Sequence, residues 1–440
     1  MSNQILKRVD WVLLPLAVFL ACWGILMIVS AANRSPQLSA LFSKQLLALG
    51  LGLLGMFFLM IVNYQVFRQW WLILYGLNIG MLILVLLIGK TIRGSQGWFE
   101  LGLFSFQPAE LAKLLVILSL SSFIDRYWDQ ARTTKIILGV VIIIFSTMGL
   151  ILLQPDFSSA IVFIPLLLIY LFIAGIPLLV IFFIVLFGLL AFGIPLLATF
   201  LSLKPALLEN SLISFIYRAT TSWFEASLVL IAIFFVLTLI YYFLFKLHFS
   251  IPLYLLIVTY GVISCGVLAS GGVNVVLKEY QRKRLLVFLD SKIDPLGAGY
   301  NVRQAKIAIG SGGLVGKGLF SGTQSQLGFL PERHTDFIFA VLGEETGFFG
   351  SLFFLLFYLI FLWRIIDIAR LSRDRFGSLV AVGIAAVFAF SSIVNIGMVM
   401  GIMPVTGLPL PLFSYGGSSL LVSFLLIGLL LSIYFRRFTY

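Results

Sequence analysis

Charge is the first thing this sequence has little of. Asp, Glu, Lys and Arg make up 10% of its 440 residues, whereas 61% are hydrophobic and the mean hydropathy is +1.13. Soluble domains carry about 25% charged residues. A water-soluble core has no room to hide this much apolar surface, so a soluble enzyme is excluded and lipid is the expected solvent. Cysteine is almost absent. Cys22 and Cys265 lie far apart in apolar runs, which excludes a disulfide framework and leaves packing as their expected role. Histidine is as scarce, with only His248 and His334, so no zinc-ligand spacing exists and no metal site is expected from the side chains. Acidic residues number 17 against 29 basic ones, a formal charge of +12. With no soluble basic domain to carry it, that excess argues against nucleic acid. It points instead to membrane orientation or an anionic ligand.

What is present is a series of charge-poor runs long enough to cross about 30 Å of hydrocarbon. They fall near 11–31, 45–63, 70–89, 109–124, 136–153, 157–174, 178–200, 224–246, 250–269, 338–363, 378–401 and 417–435. The fold class is therefore an all-α polytopic membrane protein of about twelve spans, in one membrane domain over 1–440. The first run, Trp11 to Ile28, follows Lys7 and Arg8 and precedes Ser30-Ala31-Ala32, a cleavage-like triplet. It exceeds the roughly 7–15 residues of a signal core, so it reads as an uncleaved span. Most short-loop basic residues, among them Arg68, Arg126, Lys246, Arg364, Arg375 and Arg436, fall on one side. The positive-inside rule then puts both termini in the cytoplasm.

Residues 271–337 are long, polar and on the outer side in this topology. They hold nine Lys/Arg against five Asp/Glu. Long loops are exempt from the orientation rule, so contact with anionic headgroups and contact with an anionic substrate both account for the excess.

Asp336 stands where that loop meets a span. Thr335 and Asp336 suit a helix N-cap, and a carboxylate there meets the positive end of the helix dipole. An ionised Asp at the outer face is also placed to take a proton from a sugar hydroxyl. Glu344 and Glu345 lie two turns on. Each costs about 2.5–3.5 kcal/mol in the hydrocarbon even on lenient scales, so both must face protein or a wet cavity. On a helical wheel Glu344 is about 80° from Asp336 and Glu345 nearly opposite. Glu344 is thus expected to share a cavity with Asp336, and Glu345 to pair with another helix.

Glu110 and Lys113, three apart, share a helix face and can neutralise each other, while Lys113 can also hold a phosphate. Lys90, Arg93 and Trp98 fall in a short outer loop, as headgroup and interface anchors or as ligands of a diphosphate and sugar. Gly310, Gly312, Gly313, Gly316 and Gly318 suggest a tight backbone or a phosphate cradle, without a Walker pattern. Pro404 to Pro411 and Phe413 to Ser419 give non-helical backbone at membrane depth, tolerated only beside protein or a wet cavity.

Several segments together resemble the SEDS family of shape, elongation, division and sporulation proteins. They are Arg93-Gly94 through Trp98, Phe106 through Lys113, Gln154-Pro155-Asp156, Gly299-Tyr300-Asn301, Gly322-Thr323-Gln324-Ser325-Gln326-Leu327, Leu330 through Phe339, Val394-Asn395-Ile396-Gly397 and Pro404 through Ser419. The Gly322–Leu327 run is more similar to the rod-shape, elongation branch than to the division branch. The resemblance implies a peptidoglycan glycosyltransferase of the bacterial inner membrane that polymerises lipid II, an undecaprenyl-diphosphate disaccharide-pentapeptide, at the periplasmic face. It implies Asp336 as the catalytic general base. Lys113, Arg93, Lys90, Arg282 and Lys317 would stabilise the diphosphate. Trp98, Gln107, Glu110, Glu332, His334, Glu344 and Ser414 complete the expected binding set.

The implied partners are a class B penicillin-binding protein, other elongation-complex proteins and membrane lipids. A divalent cation such as Mg2+ or Mn2+ with the lipid diphosphate is the one cofactor it admits. The family pattern has ten spans, so 201–270 reads as a two-helix insertion and 271–337 as the extracytoplasmic catalytic loop. Ala109 stands where the family has serine, and Ser158 where it has glycine. A flippase or transporter and a membrane scaffold recruiting a penicillin-binding protein are the competing readings.

Overall fold

The computed structural model describes residues 10–33, 38–92, 94–102, 104–130, 133–249, 252–290 and 293–437. Three helices, α1 (Leu13–Ala32), α2 (Leu38–Ile61) and α3 (Trp71–Ile88), lead into an antiparallel sheet of β1 (Lys90–Ile92), β2 (Ser95–Leu101) and β3 (Phe104–Phe106). Next come α4 (Pro108–Arg126), α5 (Thr134–Leu153), α6 (Phe157–Ile161) and α7 (Phe163–Ile173). The middle of the chain forms α8 (Leu178–Ser202), α9 (Ser211–Thr221), α10 (Trp223–Lys246), α11 (Leu253–Val276) and α12 (Glu279–Leu286). The last part holds α13 (Ala298–Gly312), the single turn α14 (Thr323–Gln326), α15 (Ile338–Leu371), α16 (Arg375–Val399) and α17 (Gly417–Phe435). Residues up to 175 and from 300 onward make one compact unit, and 176–299 make a second.

Ten helices among the described residues are long and apolar enough to cross a membrane: α1, α2, α3, α5, α8, α10, α11, α15, α16 and α17. The other two expected spans are helical but different in kind. Region 109–124 is α4, which carries Glu110, Lys113 and Asp125 and is buried along almost its whole length among α3, α5, α16 and α17. Enclosed by protein, it need not suit lipid. Its hydroxyls are satisfied internally: Ser119 Oγ donates to the Leu115 carbonyl at 2.7 Å, and Ser121 Oγ lies 2.8 Å from the Tyr170 hydroxyl. Region 157–174 is broken at Val162 into α6 and α7.

Three expectations need correction. The outer loop holding Lys90 and Trp98 is the three-stranded sheet, with Lys90 paired opposite Trp98 and Phe99 opposite Phe106, so the fold is helical with a small β-meander. The polar stretch 271–337 is not open loop, since it contains α12, α13 and α14. Cys22 and Cys265 are free thiols on the outer faces of their helices rather than core packing.

In the first unit α1 and α15 run antiparallel, held by a clamp at each end. Asp10 accepts from the Val12 and Leu13 amides at 3.0 Å, opening α1, and meets Arg364 Nε at 2.8 Å. At the other end Ser30 Oγ lies 2.6 and 2.7 Å from the two carboxylate oxygens of Glu345. Ser30 lies twenty residues beyond Asp10, nearly all of them in the helix that starts at Leu13, a rise of about 30 Å that matches the hydrocarbon thickness. The start of α15 therefore lies at the face opposite the start of α1.

Candidate functional site

Asp336 is half-buried in a run of turn, 331–337, that ends against α15. Helix α15 begins at Ile338 with Phe337 as its N-cap, and the Phe337 side chain makes no cap hydrogen bond. Asp336 precedes the cap, so the N-cap reading of Thr335 and Asp336 does not hold. The Thr335 hydroxyl instead turns back to Glu332, 3.0 Å from its Oε2 and 3.2 Å from its carbonyl.

The backbone of this turn is fixed by the non-helical segment 402–416. Ser414 Oγ donates to the Thr335 carbonyl at 2.7 Å and accepts from the Leu410 amide at 2.9 Å. The Tyr415 amide donates to the His334 carbonyl at 2.9 Å, and the two rings meet edge to face at 5.6 Å. Asn395 of α16 donates through Nδ2 to the Asp336 carbonyl at 2.9 Å and to the Leu408 carbonyl at 2.7 Å. Thus the polar groups of non-helical backbone at membrane depth are met by protein. His334, Thr335 and Asp336 are all held through main-chain atoms. Gln45 of α2 completes the lock, accepting from the Gly416 amide at 3.2 Å.

Below this segment lies the buried pair Lys113–Glu110, at 2.7 Å, with both side chains under 10% exposed. The pair borders a narrow pocket of about 10 Å³ lined also by Pro409, Pro411, Ser391 and Ser423. Lys113 is thus a desolvated cation at the foot of the wall that holds Asp336, with Glu110 offsetting its charge. Gln107 anchors the same corner. Its amide donates to Ser418 Oγ at 3.0 Å, and its side chain donates to Asp156 at 2.6 Å. Asp156 also caps α6 through the Ser159 amide and accepts from the hydroxyls of Ser158 and Ser159, so serine at 158 fits a helical turn.

Other sequence-derived candidates lie elsewhere. The Glu344 carboxylate has no exposed surface. It accepts from Lys317 Nζ at 3.0 Å, Thr323 Oγ1 at 3.1 Å, and the Gln324 and Ser325 amides at 2.8 and 3.0 Å. It does not share an open cavity with Asp336, and Lys317 is committed to it. The wheel angle fails because Asp336 stands outside the helix. Glu345 does pair with another helix, through Ser30. The glycines make a tight backbone rather than a cradle. Helix α15 breaks at Gly347 (φ 67°), and residues 313–318 supply the missing partners. The Lys317 and Gly318 amides donate to the Glu344 and Glu345 carbonyls, while the Phe348 and Phe349 amides donate to the carbonyls of Gly313 and Leu314. A Cβ on Gly316 would lie 2.2 Å from the Glu345 oxygen.

Lys90 pairs with Glu100 across the sheet on an exposed face, and Trp98 is half-buried there. Arg282 belongs to the second unit, and Arg93 lies outside the described residues.

Sequence reasoning missed three positions. Asn395 fell in a family-like segment but was given no task. Gln45 gave no signal. Lys306 packs against Gly401, where a Cβ would lie 2.5 Å from its Nζ, so its ammonium stands beside the turn that opens the 402–416 segment. Arg333, also near Asp336 in sequence, is part-buried, and burial pushes its guanidinium below the ordinary arginine value. Among the described residues no three His, Cys, Asp or Glu side chains gather as metal ligands.

The family model FTSW_RODA_SPOVE, described as "Cell cycle protein", matches residues 10–225 and 224–437. The chain is 35% identical to "Peptidoglycan glycosyltransferase RodA" of Treponema pallidum, over 97% of this chain and 98% of that one. It is 33% identical to "Peptidoglycan glycosyltransferase MrdB" of Escherichia coli K12, over 98% and 94%. Among solved structures it resembles a chain described as "Structural coordination of polymerization and crosslinking by a peptidoglycan synthase complex", with a TM-score of 0.67, 28% identity and coverage of 98% and 99%.

Proposed function

The chain belongs to this cell cycle protein family, and from that membership we propose that it is a peptidoglycan glycosyltransferase with Asp336 as its general base. It is a multi-pass membrane protein that polymerises lipid II into glycan strands for elongation and rod shape. The observation that carries the site is the main-chain lock on the 334–336 turn. Asn395, Ser414 and Tyr415 hold the backbone of the turn and so fix where the half-buried side chain of Asp336 stands.

In the reaction, Asp336 takes the proton from the acceptor sugar hydroxyl as its oxygen attacks the donor's anomeric carbon. The bond from that carbon to the diphosphate oxygen breaks, and the lipid diphosphate leaves with its electron pair. Lys113, Lys306 and Arg333 are the cations whose placement favours charge building on the leaving group. A divalent ion would find no protein cage among the described residues, so its ligands would come largely from the diphosphate.

The two α1–α15 clamps support the sidedness. With the N-terminus in the cytoplasm, as the basic loops require, the turn bearing Asp336 opens to the periplasm of an inner-membrane protein. The partner is a class B penicillin-binding protein that crosslinks the strands. Helices α10 and α11 are the two-helix insertion, and they begin where the two matched stretches meet.

Purified protein given labelled lipid II, with and without the partner, should make glycan strands, and folded Asp336→Asn should make none. Unimpaired polymer from that variant would remove the mechanism. Lipid crossing between leaflets without polymer would point to transport, and activity only in the partner to a scaffold.

A further inference from the structure

The second unit contains a half-open cavity of about 710 Å³ between the C-terminal ends of α8 and α11 and the turn from α9 into α10. That volume lies in the range of small-molecule sites, roughly 300–1,000 Å³. Its lining is divided. Ile194, Ala198 and Val267 give an aliphatic wall, and Thr199, Ser202, Tyr217 and Ser270 give hydroxyls. Arg282 is the one cation in the lining and Glu279 the one anion, the latter paired with Lys283 at 2.7 Å. Its Nη1 donates to Asn274 Oδ1 at 2.6 Å, which fixes the guanidinium plane, while its Nε is buried without a hydrogen-bond partner in the protein. A buried guanidinium donor left unmatched is costly, and an anionic oxygen is its natural complement.

The surroundings place the cavity at a lipid–water boundary. Helix α9 is strongly amphipathic, with Leu212, Phe215 and Ile216 exposed along it, as expected of a helix lying in the interface. Trp223, which lines the cavity, is 63% exposed, the usual setting of an interfacial tryptophan. Around α12 stand Lys278, Arg282, Lys283 and Arg284 against Glu279, whose carboxyl is held below the ordinary range chiefly by its hydrogen bond to Lys283. A basic rim over a pocket that is hydroxylic on one side and aliphatic on the other suits a ligand with an anionic head and a hydrocarbon tail.

We propose that this cavity is a binding site for a lipid phosphate, with Arg282 and Asn274 holding the phosphate and the aliphatic wall of α8 and α11 holding the first part of the chain. The shared chemistry admits a bilayer phospholipid or a polyprenyl phosphate.

Native mass spectrometry of the full-length protein in detergent tests this. Phosphatidylglycerol, undecaprenyl phosphate, diacylglycerol and inorganic phosphate are titrated separately. One molecule of a phosphate-bearing lipid should be retained at least about tenfold more tightly than diacylglycerol or inorganic phosphate. Whichever of the two lipids is held better identifies the source. Arg282→Gln should weaken retention about tenfold. Arg284→Gln, which removes the same charge outside the lining, should stay within about twofold. Ala219→Trp, which fills the pocket without changing charge, should abolish retention. Equal losses in Arg282→Gln and Arg284→Gln would reduce the effect to a diffuse basic surface and overturn the site. Diacylglycerol or inorganic phosphate binding as tightly as the lipid phosphates, or full retention in folded Ala219→Trp, would do the same.

Discussion

Three carboxylates fall within ten residues at the start of α15, and they live in opposite circumstances. Glu344 and Glu345 are almost wholly buried and satisfied, one by Lys317, Thr323 and two amides, the other by Ser30. Asp336 is half-buried, and the contacts described around it grip the main chain of its turn. The first arrangement joins a glycine loop and a helix to a broken helix. The second presents a side chain on a fixed frame. Neighbouring acids of the same charge can thus divide structure from chemistry, and what separates them is burial, two carboxylates closed inside the fold and one part-exposed at its surface.

Substitutions can break or sharpen that contrast. The largest effect is expected from Asp336→Asn, a loss of about 10²–10⁴-fold in polymerisation per folded molecule. Glu344→Ala should act on stability instead. It leaves Lys317 and two amides without their acceptor, and should cost on the order of 3 kcal/mol in stability, read as a lower melting midpoint and poorer yield. Gly347→Ala comes next, at about 1–3 kcal/mol. It places a side chain at φ 67° with its Cβ 2.3 Å from the Gly316 amide nitrogen. Asn395→Ala should be mildest in stability, about 1–2 kcal/mol, yet slow polymerisation roughly tenfold, because it frees the carbonyl of Asp336. A stability loss without a rate loss in Asn395→Ala would show that the main-chain lock is packing alone.

Much of this was legible in the sequence, and the failures have physical causes. Hydropathy placed all twelve helical regions, because lipid demands long apolar runs. It could not tell that α4 is enclosed by protein, which its charges at 110, 113 and 125 and its serines foreshadow. The helical wheel matched Glu345 to a second helix but misjudged Glu344, since the angle assumes one continuous helix and Asp336 lies before the first turn. The sheet at 90–106 was read as loop because β1 and β3 have three residues each and the seven of β2, Ser95-Gln96-Gly97-Trp98-Phe99-Glu100-Leu101, do not alternate cleanly. The glycine run allowed two readings. Only the break at Gly347, some thirty residues later, decides between them, since its freed carbonyls and amides need backbone brought close. Asn395 was part of a quoted motif yet had no assigned task, because its two acceptors are far from it in sequence.

The most direct test of this division of labour puts Asp336→Asn and Glu345→Gln side by side, each purified to the same folded fraction, and follows strand formation from lipid II. Silence from the first and substantial polymer from the second is the expected pair. Polymer at the wild-type rate from Asp336→Asn, or silence from a well-folded Glu345→Gln, would place the chemistry on the wrong acid.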